Sequence, residues 1–229
     1  MKIIISLSFI ISLILSCHIR NELKVTKHIT QHRPIPNSIL AKYLKKTNLK
    51  SLESGVDSFE LRIWHQFYYV DSFPLVLERC YYKQNSFNTE FYIFSLENNG
   101  ILKTISDLPK LKFEKYTLLD LPLRYLDSLR KNHDFSKIAE LDINTLQEKI
   151  NSSYNISTQR YTLLEQATRA TYDAFFLPNP LGLRDIDAGL NKCALLEKYC
   201  MDSLFLRDTK FREWFESKMT PILSNDNSN

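Results

Sequence analysis

Residues 59–69 read Phe-Glu-Leu-Arg-Ile-Trp-His-Gln-Phe-Tyr-Tyr. Phe59, Leu61, Ile63, Phe67 and Tyr69 alternate with Glu60, Arg62, Trp64, Gln66 and Tyr68, which is the two-residue period of a β-strand. His65 interrupts the apolar parity. The alternation predicts two unequal faces, with Phe59, Leu61 and Ile63 toward a core and Glu60, Arg62 and Trp64 turned away from it. Downstream, Asp71-Ser72-Phe73-Pro74 predicts a turn into a second strand from Leu75 to Lys83, and Gln84-Asn85-Ser86-Phe87-Asn88 a turn into a third, from Glu90 to Leu96. Glu97-Asn98-Asn99-Gly100 ends the third strand. Three strands joined by short turns form an antiparallel meander over 59–96.

Past the meander the apolar period lengthens. Leu121-Pro122 predicts a helix start with Asp120 near its N-cap, and Asp142 predicts a cap for a second helix up to Ile150. Residues 160–177 return to strand character and read as a hairpin turning near Ala167-Thr168-Arg169, stopped by Pro178-Asn179-Pro180. Ile186, Leu190, Cys193, Leu196, Cys200 and Leu204 recur at helical spacing. Asp208 predicts a cap for a last helix striped by Phe211, Trp214, Phe215 and Met219, ending at Pro221. The expected fold is α+β: an antiparallel sheet, made of the 59–96 meander and the 160–177 hairpin, covered on one face by helices from 120–150, 186–205 and 209–219.

Upstream of the meander the chain is basic. Residues 18–50 carry eight Lys or Arg against Glu22 alone, while 51–229 carry 21 basic and 25 acidic side chains. Residues 18–38 read as a linker, with Arg33-Pro34-Ile35-Pro36 favouring extended backbone. A short helix follows, with Ile39, Leu40, Tyr43 and Leu44 on one side and Lys42, Lys45 and Lys46 mainly on the other; it either packs on the domain or lies against headgroups. The organisation expected is a signal segment over 1–16, a basic tether with a short helix over 17–52, a single α+β domain over 53–219 and a polar tail over 220–229.

The N-terminus, Met-Lys-Ile-Ile-Ile-Ser-Leu-Ser-Phe-Ile-Ile-Ser-Leu-Ile-Leu-Ser-Cys, has a charged start, an apolar run from Ile3 to Leu15 and a small residue before Cys17. The run is shorter than the ~20 residues a membrane-spanning helix needs. Ile14-Leu15-Ser16-Cys17 resembles a bacterial lipobox. The resemblance implies that Cys17 receives a diacylglyceryl group, that signal peptidase II cuts before it, and that the membrane is a partner through the N-terminal lipid. Two or more acyl chains hold a protein on a bilayer, since each buried CH₂ contributes about 0.8 kcal/mol.

The remaining motifs are sparse. The chain has 44% hydrophobic and 24% charged residues, a globular composition, and four glycines. No serine sits in a nucleophile elbow and no glycine-rich loop cradles phosphate, so no cofactor is expected. His28 and His32 stand four apart but lack a third ligand, and Pro34 opposes a helix there, so no metal is expected. His65 and His133 are isolated. Cys193 and Cys200, seven apart on one helix, lie about 10 Å apart and cannot pair there; an oxidising envelope would let Cys80 pair with one of them, but buried thiols are the simpler reading. Glu60, Arg62, Glu78, Arg79, Glu90, Glu165 and Asp173 gather on the strands, either as acid–base groups or as the ion-paired solvated face of a half-buried sheet. Twelve aromatics lie between Phe59 and Phe94, and Trp64, Tyr68 and Tyr82 would make a recognition patch if exposed.

The function expected is that of a lipid-anchored cell-envelope protein, facing periplasm or exterior, with a non-catalytic binding or structural role and an envelope protein or glycan as partner. The alternatives are an envelope hydrolase acting on glycan or peptide through sheet carboxylates, and a toxin-neutralising lipoprotein. Nucleic acid is not an expected partner, because the body of the chain is acidic.

Overall fold

A computed structural model describes residues 25–29, 37–65, 73–83, 86–121, 161–178 and 208–226. Its strands are β1 (Thr26–Ile29), β2 (Phe59–His65), β3 (Val76–Lys83), β4 (Ser86–Leu96), β5 (Leu111–Leu121), β6 (Tyr161–Thr168) and β7 (Thr171–Pro178). Two α-helices are described, α1 (Asn37–Thr47) and α2 (Thr209–Asp226). The strands form one seven-stranded mixed sheet in the order β1-β7-β6-β2-β3-β4-β5, so the fold is dominated by its sheet. Every neighbouring pair is antiparallel except β1 with β7, which is parallel.

The meander and the hairpin lie where the alternation places them, except that β4 begins at Ser86, inside the expected turn, and that 66–69 of the expected first strand lie outside the described residues; β2 joins the two by pairing with β3 on one side and β6 on the other. Two strands depart from expectation. Residues 26–29, read as linker, pair with β7, and 111–121 form an edge strand running through Asp120 and Leu121, where a helix start was expected. The rest of the expected 120–150 helices, and the 186–205 helix, lie outside the described residues.

Both faces of the sheet carry a core, which corrects the expectation of cover on one face. All seven residues of β2 are buried. Trp64, Leu77, Tyr92 and Phe94 share a face across β2, β3 and β4, and Ile39 and Tyr43 of α1 pack with them. Val76, Phe91 and Ile93 occupy the opposite face and pack with Phe211, Phe215, Met219 and Ile222 of α2. A helix thus lies against each side of the sheet.

α1 is part of the fold and not of a tether. Ile39, Tyr43 and Thr47 recur every fourth residue and are buried, while Lys42, Lys45 and Lys46 are exposed. The Tyr43 ring meets Phe94 and Trp64 edge-on at 4.6 and 5.9 Å, and its hydroxyl donates to the Pro74 carbonyl at 3.0 Å. Asn48, at φ 57°, ends the helix: its N–H donates to the Lys45 carbonyl and that of Leu49 to the Leu44 carbonyl, the paired bonds of a Schellman cap. Asp208 caps α2 by accepting the Phe211 N–H at 2.9 Å. α2 continues through Pro221 into the segment expected to be a polar tail. An interior proline costs about 3 kcal/mol. Burial of Ile222 on the far side of it contributes about 1.5–3 kcal/mol and helps to offset that cost.

Because Trp64 and Leu61 lie on opposite faces and both are buried, Trp64→Ala should cost about 3–5 kcal/mol, at least as much as Leu61→Ala. Urea unfolding of the two variants checks this; a cost below ~1 kcal/mol for Trp64→Ala would contradict the two-sided core.

Candidate functional site

The helix-α1 side of the sheet holds a lattice of buried charge beside its aromatic core. Arg62 of β2 and Arg79 of β3 stand directly opposite one another. Two adjacent cations repel, so a carboxylate must lie between them. Glu60, two residues from Arg62 on the same face, does so. Its Oε1 accepts from Arg62 Nε at 2.7 Å and Arg79 Nε at 2.7 Å, and its Oε2 from Arg79 Nη2 at 2.8 Å. The third Arg79 nitrogen, Nη1, donates to Glu90 Oε2 at 2.8 Å, on the facing residue of β4. Glu90 also accepts from the Tyr92 hydroxyl at 2.7 Å and from Lys115 Nζ of β5 at 2.9 Å. Arg79 thus spends its whole planar fork on two carboxylates, a geometry lysine cannot reproduce.

A second carboxylate group adjoins the lattice. Glu165 of β6 faces Arg62 across the strand pair and accepts from Trp64 Nε1 at 2.6 Å and the Tyr172 hydroxyl at 2.7 Å. Glu60, Glu90 and Glu165 balance Arg62, Arg79 and Lys115, so the lattice is neutral. Arg62 is 1% exposed, and its Nη1 has no hydrogen-bond partner.

Burial alone would raise the Glu90 pKa. The hydrogen bonds from Tyr92, Lys115 and Arg79, together with the Arg79 charge, outweigh it and bring Glu90 to about 2. Glu60 is lowered as well: burial opposes the shift, and the bonds and charges of Arg79 and Arg62 overcome it. Burial would lower Arg79, but Glu60 and Glu90 raise it. These carboxylates are fixed as anions with donors on every side. A general acid needs the opposite, a raised pKa and a proton to give.

The lattice reaches solvent at one edge. Lys115 is exposed, Arg79 and Tyr81 are partly buried, and the Arg79 guanidinium carbon sits 4.0 Å over the Tyr81 ring. On the opposite face, His65 Nε2 lies 3.9 Å from Glu78 Oε2, and Cys80 Sγ lies 3.7 Å from Glu78 Oε1 and 3.3 Å from Thr89 Oγ1. Cys80 is a free, buried thiol. Among the described residues, no group of three or more His, Cys, Asp or Glu is placed to hold a metal ion.

The aromatic row expected from the sequence does not form. Trp64 is buried and donates to Glu165, and Tyr82, partly buried, lies on the other face of the sheet. Tyr68, Cys17, His32, His133, Cys193 and Cys200 lie outside the described residues; His28 lies in a strand, not a helix. Glu60, Arg62, Arg79 and Glu90 are ion-paired, as one of the two readings has it, but Glu60, Arg62 and Glu90 are buried rather than solvated and Arg79 is partly so. Glu78 and Asp173 are separated from the others by the sheet. Tyr81, Tyr92, Lys115 and Tyr172 join the site without having been singled out. For Tyr92 the signal was its i, i+2 spacing from Glu90, which puts both on one face. Comparison with known protein families, with curated proteins and with solved structures finds no match.

An acid with a folded pKa below its unfolded value binds protons more readily when unfolded. Glu90 therefore contributes stability that is present above pH 4.5 and is lost as the pH falls through about 2. Glu90→Gln should flatten the acid limb of a urea-midpoint profile across that window, leaving the smaller slope due to Glu60 and other acids. An unchanged slope would mean that Glu90 is not held as an anion.

Proposed function

We propose that this chain is a lipid-anchored cell-envelope protein that acts by binding an envelope protein or glycan. The observation that carries the binding reading is the saturation of the lattice carboxylates: Glu60, Glu90 and Glu165 each accept at least two hydrogen bonds, and Glu60 and Glu90 are held as anions. The hydrolase alternative draws less support for the same reason. A neutral, rigid lattice instead backs the partly exposed Arg79–Tyr81 pair and Lys115, which offer a cation, a hydroxyl and an aromatic face in a fixed arrangement. Side chains whose rotamers are already locked lose little entropy on binding.

The anchor rests on the Ile14-Leu15-Ser16-Cys17 resemblance. With β1 starting at Thr26, only the eight residues 18–25 separate Cys17 from the sheet, in place of a tether reaching to residue 52. Fully extended, they span at most about 30 Å, so an acylated Cys17 would keep the domain close to the bilayer. No helix among the described residues is long and apolar enough to cross a membrane.

Cys17→Ala should abolish incorporation of labelled fatty acid and release the chain from the membrane fraction; labelling at the wild-type level would defeat the anchor. Binding is tested by affinity capture from native membranes with Tyr81→Ala. The variant should keep nearly the wild-type melting temperature and lose a named wild-type partner, since truncating an interface hot spot costs at least ~2 kcal/mol. Equal capture by both proteins would remove the Arg79–Tyr81 surface from the proposal.

A further inference from the structure

The face opposite the ionic lattice carries a separate polar groove. The β4–β5 register sets Ser95 beside Lys112 and Ile93 beside Glu114, and the second half of α2 crosses above them. Between strands and helix lies a groove of about 220 Å³, whose apolar lining is Ile93 from the sheet and Pro221 and Ile222 from the helix. Sites for drug-sized ligands run from about 300 to 1,000 Å³, so this one suits a smaller molecule.

Two polar groups on its wall have unused capacity. Ser95 is 4% exposed, and its hydroxyl lines the groove without a hydrogen bond. Lys218 Nζ lies 3.7 Å from Glu114 Oε2, close enough to pair electrostatically but too far for a hydrogen bond, so its N–H donors are open. Lys112, by contrast, is already engaged, donating to Asn99 Oδ1 at 2.9 Å and the Glu97 carbonyl at 3.4 Å. Lys112, Lys218 and Glu114 give the lining a net charge of +1, which matches a monoanion better than a phosphate dianion.

We propose that this groove binds a small monoanionic carboxylate bearing a short aliphatic group. The Lys218 ammonium and the Ser95 hydroxyl donate to the two carboxylate oxygens, and the aliphatic part rests on Ile93, Pro221 and Ile222. The inference depends neither on the lipid anchor nor on the Tyr81 surface.

Calorimetric titration of the full chain tests it, with N-acetylalanine as the probe and N-acetylalanine amide and inorganic phosphate as comparators. Saturable one-to-one binding of N-acetylalanine is expected, at least tenfold tighter than either comparator. Lys218→Gln and Ser95→Ala should each weaken it at least fivefold, and Lys218→Arg should retain most of it. Ser95→Ala removes an unpaired hydroxyl, so its urea midpoint should not fall. If it fails to fold, the Lys218→Gln and Lys218→Arg pair decides alone. Absence of saturable binding, equal affinity for the neutral amide, tighter binding of phosphate, or unchanged affinity in Lys218→Gln would each overturn the proposal.

Discussion

The centre of this sheet is built on a conflict between like charges. β2 and β3 bring Arg62 and Arg79 face to face in a buried layer, and Glu60 resolves the repulsion by accepting from both. The arrangement works only in one register. A slip of a single residue would turn every side chain of β2 to the opposite face and leave the carboxylates and guanidiniums on different sides of the sheet. A buried ion pair adds little net stability over a well-packed apolar alternative, but breaking one is costly, about 3–5 kcal/mol. The lattice therefore acts on pairing specificity: misregistered strands would bury uncompensated charge.

The lattice needs a cover that excludes water at one end and a rim that admits it at the other. α1 supplies the cover. Its Tyr43 closes over Trp64 and Phe94, and Trp64 in turn donates to Glu165, so an aromatic edge of the core doubles as a donor in the polar layer. At the rim, Tyr81, Arg79 and Lys115 reach solvent from a rigid base. α2 does the corresponding work on the opposite face, where its apolar stripe from Phe211 to Ile222 seals Phe91 and Ile93. α1 ends 12 positions before the meander and α2 begins 113 positions after it, so only the second face is completed by a segment far from the meander in sequence.

That division bears on how such a chain would act. A sheet with both faces packed by helices presents its ends and rims to a partner more than a broad open face. The Arg79–Tyr81 rim and the groove under α2 are on opposite sides, so occupancy of one leaves the other accessible.

Local pattern alone determined the meander and the hairpin. Alternation in 59–65, 75–83 and 90–96, and the turn near Arg169, are properties of adjacent residues, and strand periodicity needs no partner to be read. The cap at Asp208 and the amphipathic stripe of 37–47 were equally legible. β1 was not, because Thr-Lys-His-Ile carries no alternation and becomes a strand only by pairing in parallel with β7. β5 was obscured by Lys115-Tyr116 breaking its parity and by the helix-start signal of Leu121-Pro122. The charged residues of the site other than Lys115 could be named from the sequence, yet their burial could not. Alternation reports that two faces differ, and whether the polar face meets water depends on what lies over it. Here α1 and the long-range pairing of β2 with β6 settle that question, through contacts such as that of Trp64 with Glu165, 101 positions apart.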